Sequence, residues 1–597
     1  MGNQGVNVHQ LDGKSIFDTF SSGAQRVIDN QEDLNSINVF PVPDGDTGTN
    51  LAATLSHIMG STLVSDSVGE TVGSMSDAAI AGARGNSGAI FAQFLSGLSE
   101  SVSFAAMVSM ESFAQAVRNA RNRAYAAIRN PQEGTILSVI SAWSHSLIET
   151  ARDSRTFLEL FDRTLPAVEQ ALRRTPEQLP ILKISGVVDA GAQGFYHFVR
   201  GARDFLQTGK KPRLEAQRIV NLDSAHNVPA SEESISHRYC TEVMLRLDRG
   251  SLSQVKAEVE PLGDSLIVVN AGNKVRVHIH TDRPADLVAL LRTRGGVLQQ
   301  KADDMREQFQ TVHRRKHTIA ILTDSACDLP QEVLDEHQIH VVPMRILAGG
   351  TEYIDRVTIT SAQLARMQRT ARPYPSTSQP PAADLHNAYA WLSRHYESVV
   401  AIHLSGKMSG TYEASRREAE KISGTRITVI DSRHLSGSLG LLVLRAAEAL
   451  ASGADHDALV QLIEASIRKA KILVSVRTLD FMVKGGRVSP LKGILAKLMN
   501  LKPIVSVDSE GNSLLHGRAF SARANIEKIL RMVAEEHRSY PLHSYAVVYS
   551  GEPESARQFA SRLTGIIGKD PLYIMEISPV VSLNAGPGAV CVVTMRG

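Results

Sequence analysis

The stretch "NVFPVPDGDTGTN", residues 38–50, sets two carboxylates, Asp44 and Asp46, among glycines and hydroxyls directly after an apolar run. Gly45 and Gly48 allow a turn tight enough for both carboxylates to converge on one point. Convergent carboxylates need a cation. A calcium hand opening at Asp44 would require Gly at its sixth position and Glu at its twelfth, where Thr49 and Leu55 stand. Magnesium fits better, because one or two carboxylates with phosphate oxygens and water satisfy it. A helix expected to begin after Thr49-Asn50 would aim its N-terminal amides at the same space and favour phosphate there. The alternative that needs no ligand is an Asx-turn capping that helix.

Around this loop, apolar residues at helical spacing, such as Phe113, Val117, Ala120, Ala124 and Ile128, predict an all-α domain over residues 1–208. A polar stretch, "RIVNLDSAHNVPASEESISH" (218–237), follows as a linker. Residues 230–310 then alternate short strands and helices in the order βαββα, and the basic run at 313–317 reads as a solvated linker. From 316 to 597, apolar strands such as "TIAILTD", "SVVAIHL" and "AVCVVTM" separated by helix-length segments predict an α/β domain of two lobes. A chain of 597 residues exceeds what one core organises, so a multidomain protein is expected.

Composition excludes several classes of partner. A net charge of +2 gives no field that would favour nucleic acid or an anionic membrane. Three cysteines far apart in sequence form no disulfide framework and suit a reducing compartment. No apolar run approaches the roughly 20 residues that span a bilayer, and the N-terminal residues lack the layout of a secretory signal, so the cytoplasm is expected.

A second unit, "GARGNSGAI" (82–90), is a Gly-rich turn entering a helix; by itself such a turn is more often a packing device than a phosphate cradle. Taken with "PDGDTGTN", "EGTILSVI" (133–140) and "GVVDAGAQGF" (186–195), it resembles the ATP-binding domain of the dihydroxyacetone-kinase type, the DhaL-like domain of bacterial fatty acid kinase. The resemblance implies that Asp44 and Asp46, with Asn38 completing the shell, hold magnesium bridging the phosphates of ATP. It also implies that Thr47, Thr49, Asn50, Gly85, Asn86, Ser87 and Gly88 line the nucleotide.

In "KVRVHIHT" strict alternation places Lys274, Arg276, His278 and His280 on one strand face. Two imidazoles so placed can share a metal, but the two cations on the same face favour a solvated polar surface on the residues alone. The module is similar to the middle domain of the same kinase. That likeness implies a zinc site of Cys240, His278 and His280, with one position open.

"STSQPPAADLHNAY" (376–389) and "LSGKMSGTYEAS" (404–415) set hydroxyls just ahead of expected helices, where two loops could pinch one carboxylate or merely cap the helices. With "ILTDSACDLP", "VIDSRHLSGSLGLLV", "TLDFMVKGGRVSP", "MNLKPIV" and "NAGPGAV" in that order, residues 316–597 resemble the DegV family of fatty-acid-binding proteins. The resemblance implies that Thr377, Ser378, Ser409, Gly410, Thr411 and Asn584 surround a fatty acid carboxylate and that Arg487 and Arg518 serve phosphoryl transfer or docking of the kinase. Asn584 stands where the members that present an acyl group for phosphorylation usually carry His, and Asn cannot shuttle a proton.

The expectation from sequence is thus an ATP-dependent kinase that makes acyl phosphate from a long-chain fatty acid, using ATP, Mg²⁺ and Zn²⁺. An acyltransferase accepting the product and a homodimer are further expected partners. Two alternatives remain: a lipid-binding regulator without phosphoryl transfer, favoured by Asn584, and a kinase for a small polyol such as dihydroxyacetone.

Overall fold

A computed structural model of the chain describes residues 8–40, 45–128, 131–211, 235–487 and 502–597. They form two compact units, residues 1–282 with 289–309, and residues 283–288 with 310–597.

The first unit is built on packed helices, among them Gly13–Asp29, Thr47–Ser61, Val68–Gly82, Gly85–Val102, Met110–Ala127, Ile136–Thr150, Phe157–Arg173 and Ala190–Thr208. Several start where a short polar side chain takes up an otherwise orphaned amide: Asp12, Ser67, Ser109, Thr135, Thr156 and Asp189 each cap one. Their apolar faces meet in an aromatic core in which Phe91 and Phe198 stand edge to face at 5.1 Å. Each ring buried there contributes on the order of 1.5–3 kcal/mol.

A four-stranded antiparallel sheet completes this unit, in the order Asp264–Ala271, Lys274–Thr281, Tyr239–Leu247, Gly295–Asp304. Ile267 and Val269 enter the helical core, and the Ser96 hydroxyl donates to the Asn270 carbonyl at 3.0 Å. The outer strand Gly295–Asp304 goes beyond the βαββα order expected from sequence; its "LQQKADD" is too polar to announce a strand. The linker expected at 313–317 falls on the exposed join 314–318, and residues 300–313 before it are regular structure. The strand runs to Asp304, helix Met305–His313 follows at once, and Arg315 stacks on the Tyr396 ring at 5.4 Å. Most of the polar stretch 218–237 lies outside the described residues.

The second unit has two lobes. One carries a parallel sheet in the order Arg426–Asp431, Ser398–His403, Ile319–Asp324, His340–Val342, beside a small antiparallel sheet of Thr351–Ile354, Arg345–Ala348 and Ser376–Ser378. The other carries six strands in the order Ser513–Ala519, Lys502–Val507, Ala470–Ser475, Val590–Arg596, Leu542–Tyr549, Ile574–Glu576. Helix Ser436–Ala451, apolar on nearly every side, packs against strands of both sheets and is buried accordingly. Lys502–Val507 escaped the sequence pattern because Pro503 argues against a strand, and Ser513–Ala519 because it is polar.

Candidate functional site

Asp46 stands at the start of helix Thr47–Ser61, which therefore begins earlier than the sequence suggested. The buried Thr47 hydroxyl donates to Asn38 Oδ1 at 2.7 Å, so Asn38 and the first helical turn are one piece. Asn35 binds Thr49 twice, accepting from its amide at 3.0 Å and donating to its hydroxyl at 2.8 Å. Thr49's amide is thus engaged within the protein. Asp44 lies outside the described residues.

The Gly-rich turn approaches the same place. Gly85 opens helix Gly85–Val102 with φ of +58°, and a Cβ there would lie 2.5 Å from Asn50 Nδ2, so glycine is required twice over. Gly88 instead serves packing: its Cβ would meet the Thr54 hydroxyl at 2.4 Å. Asn86 and Ser87 are half-buried in the first turn, and a Cβ on Gly191 would lie 3.4 Å from Ser87 Oγ and 3.3 Å from Ile136 Cβ. The starts of helices Gly85–Val102, Ile136–Thr150 and Ala190–Thr208 therefore meet, with Asn50 of the Thr47 helix beside them. Converging helix N-termini bring positive dipole ends together, a setting that favours an anion. Asp189, buried at the cap of Ala190–Thr208, accepts from the Ala192 amide at 2.7 Å, and burial pushes its carboxyl up to about 7.

In the middle sheet, register sets Cys240 opposite His280 and Glu242 opposite His278. Ligand atoms of Cys240, His278 and His280 all lie within 4.8 Å of one another, and Cys240 Sγ is 4.0 Å from His278 Nδ1. The strand face is enclosed about its centre, with Lys274 exposed at its start: His278 is buried, and Arg276 reaches the Ile80 and Ala81 carbonyls at 3.1 and 2.6 Å and pairs with Glu242. Desolvation alone would lower the His278 imidazole, but Cys240 and Glu242 hold it at about 10. Burial, then the neighbouring His278, brings His280 down to about 4.

A mainly apolar cavity runs between the lobes of the second unit, walled by side chains such as Met344, Leu404, Ile472, Val505 and Val548. Four polar residues named from sequence reach it: Thr377, Ser409, Arg487 and Asn584. Thr377 and Ser378 sit on strand Ser376–Ser378, paired with Arg345–Ala348; the helix beyond, Ala382–His395, starts after Pro381 with no side-chain cap, so neither hydroxyl caps it. Ser378 is exposed and does not line the cavity. Ser409 precedes helix Thr411–Ala419, taking the Thr411 amide at 3.3 Å, with their hydroxyls 2.8 Å apart. Thr411 is fully buried away from the cavity, and a Cβ on Gly410 would strike Gln379 Oε1 at 2.1 Å, so the two loops abut. Asn584 Oδ1 is a buried acceptor with no hydrogen-bond partner among the described residues. Arg518 stands on the outermost strand and does not line the cavity.

With this geometry in place, three family models match successive parts of the chain: the DAK2 domain over 41–204, the FakA-like middle domain of fatty acid kinase over 236–312, and the DegV family, described as uncharacterised, over 318–596. One chain carries all three domains. An uncharacterised protein of Staphylococcus saprophyticus is 32% identical over 322 residues, covering 52% of this chain and 58% of that protein. One of Staphylococcus epidermidis is 30% identical over 321 residues, with the same coverage. The chain thus spans under two thirds of the length of these curated relatives. Among solved structures, a fatty-acid-binding DegV family protein of Thermus thermophilus (28% identity, TM-score 0.44) and DegV, a fatty acid binding protein of Bacillus subtilis (23%, 0.44), each align over 47% of this chain and all of their own.

Two polar networks in the DegV domain were missed from sequence. Asp324 Oδ2 meets His403 Nδ1 at 3.1 Å, His403 Nε2 meets the Ser415 hydroxyl at 2.7 Å, and Ser415 bonds Tyr389, all four residues being fully buried. This chain ties helix Thr411–Ala419, and with it the Ser409 turn, to the parallel sheet. Asp328 takes the Ser578 amide at 2.8 Å and Asp355 takes the Val580 amide at 2.9 Å, together seating helix Pro579–Ala585, which carries Asn584. Burial pushes the Asp355 carboxyl up to about 7. The signal was carboxylates inside apolar runs, "ILTDSACDLP" and "EYIDR". No helix among the described residues is long and apolar enough to cross a membrane.

Proposed function

We propose that the chain transfers a phosphoryl group from ATP to the carboxylate of a long-chain fatty acid held by its DegV domain. The observation that carries this is the mainly apolar cavity into which Thr377, Ser409, Arg487 and Asn584 bring hydroxyl, guanidinium and amide groups. Such a lining suits a long acyl chain with one polar head, and it does not suit a small polyol. Thr377 and Ser409 would donate to the carboxylate, and Arg487 would neutralise charge as it builds up. In the DAK2 domain, Asp46 with Asp44 and Asn38 would hold magnesium, which neutralises phosphate oxygens when bound; the converging helix starts would take the phosphates. In the middle domain one thiol and two imidazoles would hold zinc. Cys240, His278 and His280 fit that ion in donor type and spacing, and binding would displace the proton from His278.

The experiment is to supply [γ-³²P]ATP and a long-chain fatty acid to the full chain and trap acyl phosphate as hydroxamate. Acyl phosphate is the expected product. Asn584 favours a second function, a lipid-binding regulator without transfer, because its amide, unlike an imidazolium, brings no positive charge to the carboxylate and the incoming phosphoryl group. Protein that retains fatty acid and binds ATP yet forms no acyl phosphate supports that regulator. Activity appearing only in Asn584→His would identify this residue as the cause.

A further inference from the structure

Behind the wall of the acyl cavity lies a second concavity, lined among others by Gln368, Arg369, Arg372, Tyr374, Phe481 and Lys484. Its walls are helix Ser361–Thr370 and helix Asp480–Lys484, and Pro587 adjoins it from the turn after Asn584. The Asp480 helix serves both spaces: Met482, with Arg487 just beyond the helix end, faces the acyl cavity, whereas Phe481 and Lys484 face the concavity. One wall is fixed, since Gln368 Nε2 donates to the Tyr374 hydroxyl at 2.9 Å and to the Leu583 carbonyl at 3.1 Å. Lys484 Nζ lies 5.4 Å from the centre of the Tyr374 ring.

Three cations therefore surround one hollow. None of Arg369, Arg372 and Lys484 makes an ion pair among the described residues, although ion pairs occupy many other arginines of the chain. Cations gathered around a concave surface without a carboxylate repel one another, and an anion bound between them removes that repulsion. Guanidinium forks match phosphate oxygens in geometry, and a lysine adds a point charge.

We propose that this concavity is an anion site for a phosphate-bearing ligand, placed one helix away from the acyl headgroup residues. Resting on the kinase function proposed above, whose donor phosphates are assigned to the DAK2 domain, the concavity would hold a second phosphate-bearing ligand, a nucleotide or free phosphate, one helix from the acyl headgroup residues.

The test is calorimetric titration of the full chain in EDTA and 0.15 M salt with inorganic tripolyphosphate, ATP and inorganic phosphate as separate probes. Tripolyphosphate should bind wild type, and Arg369→Ala/Lys484→Ala should weaken it about ten-fold or more, the loss expected for two charge-assisted contacts. Arg369→Gln/Arg372→Gln, which keeps side-chain bulk, should weaken it similarly. Retention of co-purified lipid, read by mass spectrometry, reports that the variants fold. Binding of ATP but not inorganic phosphate at this site identifies the nucleotide as the source; the converse identifies free phosphate. Tripolyphosphate affinity equal to wild type in both variants overturns the proposal. If tripolyphosphate binding depends on these cations while wild type makes no acyl phosphate, the site stands and the kinase function falls.

Discussion

At the scale of single residues, Asp46 and Asp189 behave differently because one sits on a turn and the other in a core. Asp46 precedes the first turn of the Thr47 helix without capping it by its side chain, so Asp46→Asn should leave folding intact. Combined with Asp44→Asn it should cost at least about 1.4 kcal/mol of magnesium-dependent ATP binding, a ten-fold loss. Calorimetry returning wild-type affinity with magnesium would remove the metal role from both. Asp189 is the opposite case. Its folded pKa, about 7, exceeds the ordinary 3.8, so the unfolded chain loses this proton first as pH rises. Stability contributed by the neutral carboxyl is complete below about pH 4, falls between pH 4 and 7, and is then level, a change of roughly 4 kcal/mol. Asp189→Asn keeps an acceptor for the Ala192 amide but has no proton to lose. Denaturant melts of the two proteins across pH 4–7 should diverge steadily, and parallel curves would contradict the assignment.

At the scale of elements, the middle sheet gives the sharpest expectation. Register alone brings Cys240, His278 and His280 together, so purified chain should carry about one zinc, and His278→Ala/His280→Ala should lose it. Metal analysis without chelators decides, and zinc-free wild type would reduce the trio to a buried polar cluster. This sheet also marks where sequence was legible. Alternation in "KVRVHIHT" is obeyed, with Val275, Val277 and Ile279 buried, yet periodicity could not tell that the opposite face meets the helices, because that contact comes from residues nearly two hundred positions away. Long amphipathic helices and apolar parallel strands were readable for the same reason: one short window holds the whole signal. Ser376–Ser378 and Ser513–Ala519 were not, since pairing with a partner strand, and not their composition, makes them strands. The same limit hid Asn35, whose partner Thr49 is fourteen residues on, and the carboxylates that seat the Pro579 helix from more than two hundred residues away.

At the scale of the whole chain, joining a DAK2 domain to a DegV domain makes the proposed phosphoryl transfer a matter of kinetic order. If both act within one chain, the initial rate of acyl phosphate formation per chain should be independent of protein concentration, because tethering holds the effective concentration near millimolar. A per-chain rate rising in proportion to protein would mean that transfer occurs between chains. Helix Met305–His313 and strand Ile319–Asp324 are separated by only five residues, 314 to 318. That short join has a consequence for gene dosage. A freestanding carrier can be made in any ratio to its kinase, so a cell can favour one lipid by making more of the carrier that prefers it. Under the proposed function, translation delivers one acyl cavity with every nucleotide domain, and expression level does not alter that proportion. The breadth of lipids this chain accepts would then reside in the walls of its own cavity, and a change of preference would be written into residues such as Met344, Leu404 and Ile472.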